Sequence, residues 1–219
     1  MKKKYLADFY SGGIFHVYSR TNNKEPLFRC DENNQYFLRQ YVKYLDSFLD
    51  TFCWNLLPNH FHFLVRVKSE DVLIKELQNL PEDELKSVER KFLSGLATVE
   101  LLIEFEWRRF LTSYAMAFNN HYNRKGNLLH RPFKRVEVNK ESHFTQTIIY
   151  IHANAQRHKL CIDFRNHKWS SWHMMVSNRS TLVCRNEILN WFGGMERFIE
   201  IHKISIRYNY NFDAEMGEE

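Results

Sequence analysis

The sequence predicts an α+β protein in which helices pack on an antiparallel sheet, and three observations lead to this prediction. Runs rich in aromatic and β-branched residues are typical of strands, and they occupy 14–20, 52–57, 60–67 and 128–138. Apolar residues with helical spacing occupy about 31–48, 69–125 and 139–157. The resulting order β–α–β–β–α–β–α favours an antiparallel sheet of ferredoxin-like or RRM-like type with helices packed on it.

Local signals justify the first half of this order. Gly12 and Gly13 precede the first strand, and a polar loop follows it at 19–23. Asp31 is a candidate cap for the first helix, whose apolar positions recur with helical spacing between 37 and 48. Pro58-Asn59 is typical of a turn or a bulge. The segment His60 to Val67 is therefore either a continuation of the preceding strand or its partner.

The second half is mostly helical. Pro81 separates a short helix from a longer one, which carries an apolar stripe typical of core: Trp107, Phe110, Leu111, Tyr114 and Phe118. Asn139 is a candidate cap for a helix that ends near Arg157. We predict one main domain over 1–165, with a helical insertion at 69–106. A C-terminal helical extension, 166–219, is expected to pack on it.

Composition narrows the functional class. The 219 residues are 44% apolar, but no apolar run approaches the ~20 residues that span a bilayer, so we expect a cytoplasmic location and no membrane partner. Four scattered cysteines without a C-x-x-C pair are typical of reduced thiols. Ten of the acidic residues lie in 69–106 and four more in the tail from Tyr210, which leaves a basic body suited to a polyanion. An ordinary solvated surface explains the same charge pattern.

Two histidines in the third strand are candidate metal ligands. Strand side chains alternate between faces, so His60 and His62 share one face and Phe61 and Phe63 the other. Two imidazoles at i and i+2 can converge on one ion. The alternative is a pair of polar residues on a solvated strand face.

The last helix of the main domain offers a matching set. Tyr150 and Asn154 are four residues apart and therefore lie on one helical face. If this face packs over the histidine strand, Asn154 becomes a third ligand and Tyr150 points at the open coordination positions. The alternative is that Tyr150 is a core aromatic residue with a hydrogen-bonded hydroxyl.

Several polar side chains are candidate DNA contacts. The stretch 124–135 has five basic residues and no acid, and basic groups at strand spacing can follow a phosphate backbone. The predicted contacts are Arg131, Lys134 and Arg135 from this stretch, with Arg20, Asn22 and Asn23 from the first loop. His152 either positions a phosphate or forms a surface hydrogen bond. Trp169 and Trp172 are interpreted as core anchors of the C-terminal extension.

Five blocks in this order resemble the HUH-class tyrosine transposases of small insertion elements, most closely the REP-associated branch. They are HVYSRTNN at 16–23, LPNHFHFLV at 57–65, NLLHRPFKR at 127–135, YIHAN at 150–154 and WSSW at 169–172. A weaker match is the Phe192-Gly193-Gly194 region. Two features depart from the pattern: Ala155 stands where the branch usually has proline, and the acidic segment 69–106 is long for the family.

The resemblance implies a single-strand DNA endonuclease that acts in transposition and DNA recombination. Tyr150 would attack the DNA and form a 5′-phosphotyrosine intermediate, and rejoining would reverse that step. A divalent ion, Mg²⁺ or Mn²⁺, would be held by His60, His62 and Asn154. The expected partner is single-stranded DNA that contains a hairpin, and the protein would be a monomer or a homodimer.

Three other functions remain open at this point. A rolling-circle replication initiator or relaxase also combines an HUH strand with a tyrosine, although such proteins usually have a helicase or a second domain. A non-catalytic nucleic-acid-binding module would keep the sheet and leave the metal site inert. A hydrolase using His60, His62 and water would cleave DNA without a covalent intermediate.

Overall fold

The computed structural model of the protein describes residues 5–207, apart from the side chains of Lys24, Ile206 and Arg207. Its centre is an antiparallel sheet in the order β2-β3-β1-β4. The strands are β1 Ile14–Arg20, β2 Leu49–Leu57, β3 His60–Val67 and β4 Lys134–Glu137. This is the predicted α+β fold, with the strand order of ferredoxin-like and RRM-like sheets.

The Pro58-Asn59 turn decides the question left open for the third strand. β2 and β3 pair as an antiparallel hairpin, with Leu57 opposite His60 and Leu49 opposite Val67. β2 starts three residues earlier than predicted and contains an irregularity between Thr51 and Cys53. β3 is also paired with β1, so it is an inner strand of the sheet.

The fourth strand is much shorter than the predicted 128–138. Only Lys134–Glu137 is a strand, and it pairs with β1. The residues before β4 lie beside the end of β1 and form isolated backbone hydrogen bonds with it. One of these joins His130 N–H to the Arg20 carbonyl at 2.8 Å. Pro132 has no N–H to donate to a ladder, which is consistent with a strand that starts after it.

Helices α1 (Asp31–Leu45) and α4 (Val99–His121) cover one face of the sheet. Phe61 and Phe63 of β3 point to this side, and both are fully buried. Their rings lie 5.1 and 6.4 Å from that of Phe37, measured between centroids. The predicted stripe on α4 is buried at every position, so its interpretation as core is confirmed.

The acidic segment forms two helices before α4, namely α2 Glu70–Gln78 and α3 Ser87–Leu93. The predicted helicity of 69–125 is interrupted at 79–86 and 94–98. Inside this layer, Arg109 forms ion pairs with Glu89 at 2.6 Å and Glu106 at 3.0 Å. Two of the acidic residues therefore contribute to packing between α3 and α4 and not to the surface.

The opposite face of the sheet is covered by α5 (Glu141–Arg157), which packs on β2 and β3. Lys140 occupies the N-cap position, one residue after the predicted Asn139, and the helix ends at Arg157 as predicted. The residues 147–155 of α5 are all buried, including four polar or aromatic side chains. This helix therefore presents polar groups to the inner strands of the sheet.

The C-terminal part packs against the β2 edge and α5. Two hydrogen bonds join residues 169–171 to β2: Leu56 N–H to the Trp169 carbonyl at 2.9 Å, and Ser171 N–H to the Trp54 carbonyl at 3.0 Å. Three helices follow: α6 Trp172–Met175, α7 Arg185–Phe192 and α8 Met195–Arg207. Trp172 is a buried anchor as predicted, whereas Trp169 is only partly buried and donates Nε1–H to Asp31.

The remaining predictions concern membrane helices, cysteines, the acidic tail and the domain boundary. Within residues 5–207, no helix is both long and apolar enough to cross a membrane. All four cysteines are free thiols. The acidic tail from Tyr210 lies outside the described residues, and the boundary between the main domain and the extension stays a prediction.

Candidate functional site

The two predicted metal-ligating histidines lie on the α5 side of β3. His62 is fully buried in the middle of the sheet, paired in register with Tyr18 and Asn55. His60 lies at the start of β3 and is partly exposed. The two ring centroids are 5.1 Å apart, with ring planes at 86°. The alternation of side chains along β3 thus separates the imidazoles from the phenylalanine core, as the sequence predicts.

Helix α5 brings the predicted phenol and amide to the same place. Asn154 Nδ2 is 3.1 Å from His62 Nε2, and the Tyr150 ring centroid is 5.8 Å from that of His62. Tyr150 is 1% exposed, so its ring is enclosed between α5 and the sheet. His60, His62, Tyr150 and Asn154 of the same chain therefore converge on one place.

His62 is held as a neutral imidazole. Burial lowers its pKa well below the usual range, and the neighbouring His60 and His158 lower it further. His62 Nδ1 lies 2.9 Å from His16 Nε2. If Nδ1–H donates to His16, the lone pair of Nε2 faces Asn154. A neutral ring with one nitrogen occupied by a hydrogen bond is the form in which histidine binds metals.

The remaining donor atoms also fit a divalent ion. Asn59 Oδ1 is 2.7 Å from His60 Nδ1 and accepts a hydrogen bond from Nδ1–H, which leaves His60 Nε2 as a potential ligand. Asn154 Oδ1 is buried and has no hydrogen-bond partner among the described residues. Two imidazole nitrogens and one amide oxygen suit Mn²⁺, and Mg²⁺ if water and phosphate supply further oxygens.

The choice of a third ligand is restricted. Within the described part of the chain, no three His, Cys, Asp or Glu side chains are arranged to hold a metal. The predicted third ligand, Asn154, lies beside His62, with its Nδ2 atom 3.1 Å from His62 Nε2.

A cleft of about 660 Å³ opens beside these residues. Its walls include His60, Tyr150 and Asn154 together with three of the predicted DNA contacts, Arg20, Arg131 and Lys134. The other lining residues are Tyr5, Leu6, Tyr18, Ser19, Asn59, His130, Pro132, Arg157 and His158. The cleft thus combines a phenol and potential metal ligands with several cationic side chains.

Arg135 does not reach this cleft, which corrects its predicted role. Side chains of β4 alternate, so Lys134 faces the cleft and Arg135 faces the helical layer on the other side. Arg135 is buried, donates to the Ala7 carbonyl and forms an ion pair with Glu104 at 3.2 Å. It therefore joins the sheet to α4 and is not available to a DNA backbone.

The two asparagines of the first loop also lie outside the cleft lining. Asn22 donates its amide to the Asn127 carbonyl at 3.0 Å and to the Leu129 carbonyl at 3.3 Å. This amide therefore holds the segment before β4. Asn23 is exposed, with a left-handed φ of 58°, and its DNA contact stays a prediction.

His152 has neither of the two roles considered for it. It is fully buried, with Nδ1 3.0 Å from His202 Nε2 and Nε2 2.9 Å from Ser171 Oγ. The His152 side chain therefore connects α5 to the C-terminal extension, to which both Ser171 and His202 belong.

Sequence reasoning missed four residues around the site: His16, Tyr18, Arg157 and His158. His16 and Tyr18 alternate with buried Phe15 and Val17, so strand periodicity and the pairing of β1 with β3 could have placed them beside His62. Arg157 follows Tyr150 by seven residues, two helical turns along the same face. His158 lies 5.0 Å from His60 between ring centroids.

Comparison with known proteins adds a similarity of fold. A solved structure of the REP-associated tyrosine transposase bound to a REP hairpin resembles this one with a TM-score of 0.56. The match covers 80% of this chain and 86% of that chain at 15% sequence identity. No model of a known protein family matches the sequence, and a search of curated proteins finds no match. At this identity the similarity establishes the fold and leaves function to be argued from the site.

Proposed function

We propose that this protein is a metal-dependent tyrosine transposase that nicks and rejoins single-stranded DNA near hairpins. The observation that carries the proposal is the convergence of Tyr150 and Asn154 of α5 with His60 and His62 of β3 at a cationic cleft. The similar fold of a transposase bound to a DNA hairpin supports the same substrate class.

The proposed step is a transesterification. Tyr150 Oη forms a bond to phosphorus and releases its proton to solvent, while the bond from phosphorus to the 3′ oxygen breaks. The 3′ oxygen takes up a proton from solvent, so the DNA 5′ of the cut leaves with a 3′-hydroxyl. The DNA 3′ of the cut stays attached to Tyr150 through its 5′ phosphate, as a phosphotyrosine. Because the new ester replaces the old one, a second 3′-hydroxyl can reverse the step on another strand without ATP.

The residues of the cleft match the needs of this reaction. Tyrosine has an ordinary pKa of ~10 and is a weak nucleophile at neutral pH. A divalent ion bound by His60, His62 and Asn154 would supply Lewis acidity to the scissile phosphate. Arg20, Arg131 and Lys134 line the cleft and would hold the neighbouring phosphates. Tyr150 is almost fully buried, so the phosphate must enter the cleft to meet it.

The decisive experiment looks for the covalent intermediate. Single-stranded oligonucleotides from the DNA flanking the gene, with their hairpins, are labelled at the 5′ or 3′ end and mixed with protein and Mn²⁺. We expect a protein–DNA adduct on a denaturing gel that retains the DNA 3′ of the cut. It should be lost with EDTA and in Tyr150→Phe and His62→Ala, while Tyr10→Phe, a matched change outside the cleft, should retain it.

Other outcomes distinguish the alternatives. Cleavage without an adduct that survives Tyr150→Phe would favour a hydrolase. Binding without cleavage by any variant would favour a non-catalytic module. Adducts formed at a single replication origin, without strand transfer between two hairpin ends, would favour an initiator.

A further inference from the structure

Helix α5 presents three chemically different groups to the cleft in a regular stripe. Tyr150, Asn154 and Arg157 follow each other at i, i+4 and i+7, which is the spacing of one helical face. All three line the same cleft. Tyr150 and Asn154 have roles in the proposed reaction, but Arg157 has none so far.

The guanidinium of Arg157 lies against the proposed nucleophile. Its central carbon is 5.4 Å from the centroid of the Tyr150 ring. Arg157 is partly exposed, whereas Tyr150 is buried, so the guanidinium is the more accessible of these two groups in the cleft. A phosphate that approaches Tyr150 through the cleft would therefore meet this side chain.

The other cations of the cleft have a different position. Arg20 and Lys134 belong to β1 and β4, and Arg131 belongs to the segment before β4. The Lys134 ammonium lies over the rings of Tyr5 and Tyr18, at 4.9 and 5.6 Å. These residues are suited to bind phosphates elsewhere along the DNA strand. Arg157, in contrast, belongs to the same helix as the proposed nucleophile.

We propose that Arg157 binds the non-bridging oxygens of the scissile phosphate and holds this group against Tyr150. This inference rests on the proposed function and adds a substrate-binding residue to it. A guanidinium offers parallel N–H donors that match two phosphate oxygens, and it stays protonated throughout. As Tyr150 Oη bonds to phosphorus and the 3′ oxygen leaves, negative charge grows on the oxygens that Arg157 contacts.

The first arm of the test measures the rate of adduct formation. Arg157→Gln keeps much of the side-chain length and removes the charge, and we expect the rate to fall by roughly 10²–10³-fold. Arg157→Lys restores the charge without the bidentate fork, so it should recover only part of the rate. Arg197→Gln is the matched control, because Arg197 is an exposed residue of α8 outside the cleft. Circular dichroism and thermal melting establish that each variant is folded.

The second arm measures binding and does not depend on activity. Fluorescence anisotropy is recorded in the Tyr150→Phe background with a labelled hairpin oligonucleotide from the flanking DNA, in a series with one neutral methylphosphonate linkage at each position in turn. We expect Arg157→Gln to weaken binding several-fold with the unmodified strand. At one linkage, where the oxygen charge is already removed, the same substitution should have almost no further effect. In contrast, Arg197→Gln should show no such dependence on position.

The two arms separate the two proposals. If the parent protein forms no adduct, the proposed function fails, and the methylphosphonate series still decides whether Arg157 contacts one particular phosphate. If the parent forms the adduct and Arg157→Gln forms it equally fast, the inference about Arg157 is wrong. A binding loss of equal size at every linkage would also overturn it, because Arg157 would then contribute only general attraction.

Discussion

At the scale of single residues, the neighbours of His62 hold its ring in one orientation, which suits the metal binding proposed for it. Its ring stacks on Tyr18 with centroids 5.6 Å apart, and both of its nitrogens lie within hydrogen-bonding distance of a neighbour, His16 or Asn154. Burial favours the neutral form. A ring fixed in this way loses little freedom when it binds an ion, because its orientation is already determined.

This arrangement predicts that His16 acts through His62. In His16→Phe the ring stacking and volume are largely kept, but the hydrogen bond to His62 Nδ1 is lost. We expect Mn²⁺ affinity, measured by electron paramagnetic resonance titration, to fall roughly 10- to 100-fold. His121→Phe, at an exposed position at the end of α4, should bind Mn²⁺ like the parent. Unchanged affinity in His16→Phe would show that His16 does not orient the ligand.

At the scale of elements, the contact between α3 and α4 contains a buried charge cluster. Glu89 and Glu106 are 2% and 1% exposed and share the guanidinium of Arg109. Burial raises the pKa of Glu106 to about 8, and its hydrogen bond with Glu89 adds to this, although Arg109 opposes it. Two carboxylates beside one guanidinium are best accommodated when one of them holds a proton.

The cluster predicts a loss of stability as the pH rises. In the unfolded chain Glu106 titrates near its ordinary value of 4.5, so between about pH 4.5 and 8 the folded state holds the extra proton. The contribution of this group to the free energy of unfolding therefore falls through that window, by at most about 1.4 kcal/mol per pH unit. Urea unfolding at pH 5 to 8.5 should show a flatter profile for Glu106→Gln than for the parent.

The control for this measurement is Glu84→Gln, which makes the same change at an exposed site in the loop before α3. It should follow the parent profile. If Glu106→Gln has the same slope as the parent, Glu106 is ionised in the folded protein and Arg109 dominates its environment.

At the scale of the whole molecule, a buried polar chain joins the extension to the sheet. Ser171 Oγ accepts from Trp54 N–H at 2.9 Å and contacts His152, which in turn contacts His202 of α8. Burial lowers the pKa of His202 to about 4 and that of His152 well below its usual range, with His202 and His173 adding to the latter shift. This chain therefore joins β2, α5, residue 171 and α8 through two imidazoles whose neutral form is favoured by burial.

Acid should consequently destabilise the molecule through this contact. For a histidine whose pKa is depressed on folding, the stabilisation is present above about pH 6.5 and is lost as the pH falls through the folded value near 4. For His202 this amounts to about 3 kcal/mol, at about 1.4 kcal/mol per pKa unit. Urea unfolding from pH 7 to 4 should therefore show a shallower acid loss in His202→Leu than in the parent.

His121→Leu is the matched variant, since it changes an exposed histidine at the end of α4. Its acid profile should match the parent. An equally steep profile in His202→Leu would mean that acid unfolding begins elsewhere in the molecule.

Short-range periodicity explains which parts of this picture were predictable from the sequence. The two-residue period of a strand separates His60 and His62 from Phe61 and Phe63, and the helical period places Tyr150 and Asn154 together. The predicted order of four strands and three helices indicated the α+β class. These features depend on residues close together in the chain, so the local pattern contains them.

Predictions that depended on contacts between distant segments were weaker. The stretch 128–138 looks like one strand, but only four residues at its end pair with β1. Arg135 looks like a surface base, yet its partners Glu104 and Ala7 are about 31 and 128 residues away in sequence. The sequence left His152 open between a phosphate contact and a surface hydrogen bond, whereas its side chain is buried against Ser171 and His202 of the extension.

The sequence by itself determined the α+β class, the faces of β3 and α5, and the set of residues proposed to bind a metal and attack DNA. Only the tertiary structure decided that α5 packs over β3, that His16 supports His62, that Arg157 lies against Tyr150 and that Arg135 is buried. The physical reason is that a backbone period assigns each side chain to a face, whereas its neighbours across that face are selected by sheet register and helix packing. Sheet register and helix packing depend in turn on the burial of the whole core.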